Sequence, residues 1–215
     1  MDSQKTHAIR QEYTLGALDE SDVSHNPIHQ FTKWFEDALK YNVMEPNAMT
    51  LSTVSTLGQP SSRIVLLKEV DATGFHFFTN YNSRKGQELL MSPFASLLFF
   101  WPELQRQVRI EGSVQKLSEE ASDFYFNSRP KESQMGAVAS PQSQIIPNRI
   151  LLEDAMVRLR KEYVDSVPID RPAHWGGYKL IPHAIEFWQG RSSRLHDRLK
   201  YELEGEHWLL HRLAP

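Results

Sequence analysis

Within nine positions, the stretch "GRSSRLHDR" (residues 190–198) gathers Arg191, Arg194, His196, Asp197 and Arg198 in a chain whose formal net charge is −3. Guanidinium groups hold anions, and an imidazole can exchange a proton near neutral pH, so these residue types suit the binding of a charged small molecule. On a helix Arg194 and Arg198 would share a face; on a strand Arg194, His196 and Arg198 would. The turn-like "EGE" downstream favours the strand, with Leu195, Asp197 and Leu199 pointing the other way. A solvated strand face or a ladder of ion pairs would account for the same residues.

Other cationic clusters give that stretch company. In "FFTNYNSRKGQEL" a strand ends at Thr79 and a helix begins at Asn82 or Ser83 as its cap. Arg84 and Lys85 then stand in the first helical turn, against the helix dipole, unless an anion such as phosphate lies between them and the free N–H groups. In "SSRIVLLKEV" the alternation sets Arg63, Val65 and Leu67 on one face and Ile64, Leu66 and Lys68 on the other. In "LQRQVRIEG", Gln107, Arg109 and Glu111 form a polar face. In "DFYFNSRPKES", Tyr125 and Arg129 are one helical turn apart, with Ser133 just beyond Pro130, a donor set suited to a second phosphate. Gln142 and Ser143 of "SPQSQ" add loop donors. Each cluster has a plain structural reading as a solvated end or a local ion pair. Together they suggest a fold that binds phosphorylated small molecules.

The elements that must position these residues follow from periodicity. "NPIHQFTKWFEDALKYNV" reads as a helix with Ile28, Phe31, Phe35 and Leu39 on its apolar face. From Met49 the period becomes two, giving three strands joined by "LGQP" and "DATG", then the short helix "SRKGQELLMS" and the strands "ASLLFFW" and "QVRIEGSVQKLS". Two helices follow, "SEEASDFYFNS" and "NRILLEDAMVRLRKEYV". The tail reads as strands "YKLIP", "AIEFWQ", "SRLHDRLKYEL" and "HWLLHRL". Six or more antiparallel strands with helices between them suggest an α+β protein on a closed or nearly closed barrel. Residues 1–25 read as a mobile polar arm and residues 26–215 as one domain.

Bulk composition narrows the classes. The 24 Lys and Arg nearly balance 27 Asp and Glu, so no global field draws nucleic acid. A nucleic-acid-binding barrel with aromatic strand faces is a rival this balance disfavours. No apolar run of membrane length and no leader-like segment is present, and a cytoplasmic location is expected. The absence of cysteine excludes disulfides and thiolate chemistry, and no metal-ligand spacing is found among the nine histidines, so no metal is expected.

Assembled in order, the segments "EPNAM", "RIVLLK", "GFHFFTNYNSRKG", "FFWPELQRQVRIEG", "YFNSRP", "SQMGAVASPQS", "HWGGYKL" and "IEFWQGRSSRLHDR" strongly resemble the pyridoxine (pyridoxamine) 5′-phosphate oxidase family, from "IRQEY" to the terminal "RLAP". The resemblance implies an antiparallel split β-barrel with surrounding helices, homodimeric, binding FMN where two subunits meet. It implies FMN contacts at Arg63, Ile64, Val65, Leu66, Leu67, Lys68, Phe78, Thr79, Arg84, Lys85, Gln107, Gln142, Ser143, Trp188 and Arg198. Lys68, Tyr125, Arg129 and Ser133 would hold a substrate phosphate, and Arg194, Leu195 and His196 would lie at the pyridine ring, with Arg194 and His196 in the catalytic roles. The arm residues Arg10, Gln11, Glu12 and Tyr13 would close over the site. The reaction implied is oxidation of pyridoxamine or pyridoxine 5′-phosphate to pyridoxal 5′-phosphate, with O₂ reduced to hydrogen peroxide. The alternative is a split-barrel flavin reductase or flavin-binding protein without this activity, which would not need the second phosphate site. Val138 and Ala139 stand where many family members carry an aromatic residue, and Pro141 directly precedes Gln142. These departures are expected to alter affinity or rate rather than reaction type.

Overall fold

A computed structural model of the chain describes residues 12–164 and 167–215. Asn26 opens the first helix, α1 (Pro27–Lys40), because its side-chain oxygen accepts from the N–H groups of Ile28 and His29 while Pro27, lacking an N–H, follows at the first helical position. The buried stripe is Ile28, Phe31, Trp34 and Ala38. Leu39, placed by periodicity on the apolar face, is exposed, since the stripe turns through Trp34 instead.

Period-two segments then form β1 (Ala48–Val54), β2 (Pro60–Leu66), β3 (Glu69–Asp71) and β4 (Gly74–Asn80). The region read as three strands is four, because the extended run breaks at Leu67 and Lys68. Helix α2 (Arg84–Met91) leads to β5 (Phe94–Trp101) and β6 (Arg106–Lys116), joined by a 3-10 turn, Pro102–Leu104. Three helices follow: α3 (Glu119–Ser128), α4 (Lys131–Ala139) and α5 (Ile150–Glu162). Helix α4 was not expected. Pro130 ends α3, as its ring requires, and the same residue stands immediately before α4.

The tail holds β7 (Trp175–Gln189), β8 (Asp197–Glu204) and β9 (His207–Arg212), the last two turning at Gly205 with φ +62°. The two strands expected around Pro182 are one strand of 15 residues. Pro182 is tolerated because β4 pairs with β7 only as far as Leu180, and the β8 pairing begins at Ala184, so its missing N–H falls between two ladders. The strand order is β2-β1-β5-β6-β7-β4-β3, with β8 also on β7 and β9 on β8. The registers of β3 with β4, β4 with β7, β7 with β8 and β8 with β9 are antiparallel. This is the α+β class expected from the sequence.

The packing divides into two units. Unit one comprises the described residues up to Thr50, Ser96–Glu111 and Pro182–Pro215. Its core centres on Phe31, which meets Phe99 edge-on at 5.0 Å, and on Trp34, which meets Phe187 at 5.2 Å. Here Thr14 and Leu15 donate to Gln105 Oε1, and Leu18 is buried. Unit two, Leu51–Ala95 and Gly112–Ile181, packs Phe75, Phe77, Tyr178 and Leu180 along β4 and β7. A second cluster there joins Phe126, Met135, Ile169 and Trp175.

Candidate active site

In unit two, the chain turns from β4 into α2 over a short link that Ser83 fixes. Its hydroxyl donates to Asn80 O (2.7 Å) and accepts from Gly86 N (3.4 Å), capping the helix as the sequence suggests. Arg84 and Lys85 leave this turn differently. Arg84 is exposed and donates from Nε to Glu88 Oε1 at 2.8 Å, one turn along the helix. Lys85 is buried, and its Nζ reaches Thr79 Oγ1 (3.2 Å), Ser83 Oγ (3.4 Å) and Gln142 Oε1 (3.2 Å), all uncharged. Burial, with the nearby Arg63 charge, lowers its pKa to about 8.

Glu88 is the anion of this region. It is buried and accepts from Thr53 Oγ1 (2.5 Å) and Ser61 Oγ (2.6 Å) as well as from Arg84, with Arg63 Nη2 at 3.5 Å. Burial alone would raise its pKa. The donors Ser61, Thr53 and Arg84 outweigh that and hold it at about 2. Arg63 is braced further by Leu51 O (3.2 Å), Thr53 Oγ1 (2.6 Å) and Ser61 Oγ (2.6 Å). Sequence reasoning passed over Glu88, although its place four residues after Arg84 is a signal for a helical ion pair.

These residues border a cleft of about 660 Å³. Ile64, Val65, Leu66, Lys68, Phe78, Thr79, Lys85, Tyr125, Arg129, Ser133 and Gln142 all line it, so eleven of the residues singled out from the sequence meet in one place. An adjoining hollow, sharing Ile64, Lys85 and Gln142, adds Arg63, Arg84 and Ser143. Leu67, in the link that follows β2, is buried and does not line either space. Aromatic rings form one wall, with Phe78 stacked on Tyr125 at 3.8 Å and Trp175 parallel to Tyr125 at 6.2 Å. Lys68 Nζ lies 6.0 Å from the Tyr125 ring centroid. Arg129 stands between α3 and α4, and its Nη1 is buried without a hydrogen-bond partner. Burial lowers its pKa. A guanidinium nitrogen and a lysine, both desolvated and both lacking a carboxylate, form a cleft built for anions.

The remaining candidates lie in unit one. The segment expected to carry Arg194, His196 and Arg198 on one strand face is not a strand throughout, since Ser192–Arg194 is a 3-10 turn and β8 starts at Asp197. Ser193 and Arg194 have φ of +55° and +61°, a left-handed pair that breaks the extended run. His196 packs against Trp188 at 4.6 Å and Tyr13 at 5.8 Å, and Tyr13 meets Trp188 edge-on at 5.7 Å. Its Nδ1 accepts from Arg191 N at 3.1 Å, so in the neutral ring the hydrogen sits on Nε2. Asp197 accepts from Arg191, Arg212 and Leu18 N, a structural partner of arginines as expected. Arg198 is already paired, donating to both Glu186 oxygens at 2.8 and 3.1 Å, with its pKa raised by that carboxylate. Arg109 also reaches Glu186, at 2.8 Å. Gln107 lies on β6 and Leu195 is exposed between the 3-10 turn and β8. Glu12 Oε2 accepts from Ser193 N at 3.4 Å. Arg10 and Gln11 lie outside the described residues. Among the described residues no group of histidines and acids could hold a metal, and no helix is long and apolar enough to cross a membrane.

Comparison with known proteins adds independent findings. A family profile described as pyridoxamine 5′-phosphate oxidase matches residues 35–163, more than half of the chain, and one described as the pyridoxine 5′-phosphate oxidase C-terminal dimerisation region matches residues 175–215. The chain is 57% identical over 208 residues to the pyridoxine/pyridoxamine 5′-phosphate oxidase of Nostoc sp. strain PCC 7120, covering 96% of this chain and 97% of that one. It is 55% identical over 207 residues to the enzyme of the same name from Polynucleobacter asymbioticus, with the same coverage. Among solved structures, PhzG from Burkholderia lata 383, in complex with tetrahydrophenazine-1-carboxylic acid, superposes with a TM-score of 0.88 at 33% identity, covering 94% of this chain and 99% of that one. A pyridoxamine 5′-phosphate oxidase-related FMN-binding protein from Nostoc punctiforme PCC 73102 shares the fold, with a TM-score of 0.70 at 16% identity over 86% of this chain and 97% of that one.

Proposed function

This chain belongs to the pyridoxamine 5′-phosphate oxidase family of oxidoreductases, and from that premise we propose that it oxidises pyridoxamine 5′-phosphate or pyridoxine 5′-phosphate to pyridoxal 5′-phosphate, using FMN, as a homodimer. O₂ is the electron acceptor and leaves as hydrogen peroxide. With the alcohol, two hydrogens pass from C4′ and its hydroxyl to O₂. With the amine, water supplies the aldehyde oxygen and ammonia departs. Bound FMN supplies the ring that accepts the hydride from C4′ and hands the electrons to O₂.

The observation that carries this reading is the buried, unpartnered Arg129 Nη1 in a cleft shared with Lys68, Ser133 and the carboxylate-free Lys85. In this reading two phosphate esters complete it. Lys68, Tyr125, Arg129 and Ser133 take the substrate phosphate. Lys85, with Arg63, Arg84, Thr79, Gln142 and Ser143, takes the flavin phosphate, while the strand Ile64–Lys68 and Phe78 border the flavin. The family likeness also assigns Gln107, Trp188 and Arg198 to the cofactor. Arg198 then acts through a guanidinium fixed by Glu186, not through a free one.

Arg194 and His196 are assigned to alignment of the pyridine ring, with Leu195 beside them and Tyr13 as part of the closing arm together with Arg10, Gln11 and Glu12. The left-handed backbone at Ser193 and Arg194 is conformational strain kept at a functional turn. His196 keeps its Nε2 hydrogen as a donor because Arg191 N occupies Nδ1. A flavoprotein without a phosphorylated substrate would have no use for a desolvated Arg129.

The test is direct. Purified protein should be yellow, and its flavin absorbance should bleach when pyridoxamine 5′-phosphate is added without oxygen and return on admitting air. A colourless protein that does not take up FMN would refute the reading.

A further inference from the structure

We propose that Trp175 is a positioning residue that holds the Arg129 guanidinium by the face of its indole, leaving the N–H donors of that guanidinium free for a phosphate ester. This rests on the reading of the cleft as a site for a phosphorylated substrate.

The geometry begins with how firmly Trp175 is placed. It is the first residue of β7 and pairs in register with Asn80 of β4. Its N–H donates to Pro172 O at 2.9 Å, and its carbonyl accepts from Arg171 Nη1 at 2.6 Å. Arg171 is itself tied to Asp123 and Glu119. The next two residues are glycines pressed against their neighbours, since a Cβ at Gly176 would run into the Tyr81 hydroxyl and one at Gly177 into Leu117 and Phe78. The indole is buried between Phe78, stacked at 5.7 Å, and Phe126, edge-on at 5.3 Å. The ring is therefore part of the wall.

Arg129 is equally fixed at its backbone. Its N–H donates to Phe126 O at 3.2 Å, and its carbonyl accepts from Gln134 Nε2 at 3.0 Å. The guanidinium carbon lies 4.5 Å from the Trp175 ring centroid and 5.8 Å from that of Phe126. A guanidinium is planar and weakly hydrated, so it stacks on an aromatic face and is attracted by the ring quadrupole. A carboxylate partner would do something different: it would neutralise the charge and occupy the N–H groups. Arg63 and Arg84 show that alternative in the same unit, both engaged by Glu88. Against Trp175, Arg129 is oriented but not neutralised, and Nη1 stays unpaired.

The experiment uses the full-length protein and compares equilibrium binding of pyridoxal 5′-phosphate with that of pyridoxal, alongside FMN uptake followed by flavin fluorescence. In Trp175→Met, which keeps apolar bulk without a ring face, affinity for pyridoxal 5′-phosphate should fall about tenfold. Pyridoxal and FMN should bind as before, and Trp175→Phe should restore most of the loss. In an Arg129→Ala background, Trp175→Met should add nothing, the signature of a coupled pair. Equal weakening for both ligands, or an undiminished tenfold loss without Arg129, would overturn the proposal. Should Trp175→Met fail to fold, fluorinated tryptophan replaces it, because fluorine weakens the ring's attraction at nearly constant size. Labelling should then weaken pyridoxal 5′-phosphate binding in the unaltered protein but not in Trp175→Phe, and an equal effect in both would overturn it. If the unaltered protein binds the two ligands alike, the reading of the cleft itself fails, a result distinct from any of these.

Discussion

Lys85 shows what a single residue costs and provides. A lysine whose pKa falls from 10.5 to about 8 on folding opposes folding while it is charged. Between pH ~8 and ~10.5 the unfolded chain binds more protons, so flavin-free stability should rise with pH across that window. Below it the penalty is full, on the order of 3 kcal/mol at most. Lys85→Met should therefore raise the unfolding midpoint of the flavin-free protein at pH 7, remove the alkaline gain, and weaken FMN binding by about 100-fold. Arg84→Ala, an exposed cation already paired with Glu88, should weaken FMN binding by less than about fivefold. Flavin fluorescence titration and urea unfolding measure both quantities, and a flavin-free Lys85→Met less stable than its parent would contradict this view. The sequence places both cations in one helical turn and expects an anion beside them. It does not separate them, because the direction of each side chain depends on Gln142 and Glu88, which are set by contacts far along the chain or one turn on.

At the scale of elements, α2 is held against the link that precedes it. Gly86 lies so close to the Tyr81 carbonyl that any Cβ would overlap it. Helix propensity alone favours alanine over glycine by about 1 kcal/mol, yet Gly86→Ala should destabilise by about 1–3 kcal/mol because backbone must move. Urea unfolding of the variant decides the sign, and a more stable protein would show that this packing is slack. Most elements are legible from period and turn residues, as β1, β4 to β6, α1 and α2 show, whereas β2 and β3 read as one strand. Two of the misses share a cause. Pro130 and Pro182 both read as stops, but one stands directly before a new helix and the other falls in a gap between ladders. The "RLHDR" segment has a strand's alternation, yet left-handed Ser193 and Arg194 turn the chain before β8 begins.

For the molecule as a whole, a chain of net charge −3 concentrates uncompensated positive charge inside one cleft, where desolvation makes each charge count most. The residues of that cleft come from β2, β4, α2, α3, α4, the start of β7 and the links at Lys68, Arg129 and Gln142. Much of this set was legible in the sequence as separate clusters, and through family likeness as one site. Trp175 and Glu88 were not, because a buried ring and a buried acid announce nothing until their neighbours are known. Discrimination for the phosphate is then a property of the assembled cleft, measured by the ratio of kcat/KM for pyridoxamine 5′-phosphate to that for pyridoxamine, in the unaltered protein and in Arg129→Ala. The expected result is a preference of at least about 100-fold for the phosphorylated amine that falls by at least about tenfold in the variant. Equal kcat/KM for the two amines in the unaltered protein, or a preference untouched by loss of Arg129, would contradict it.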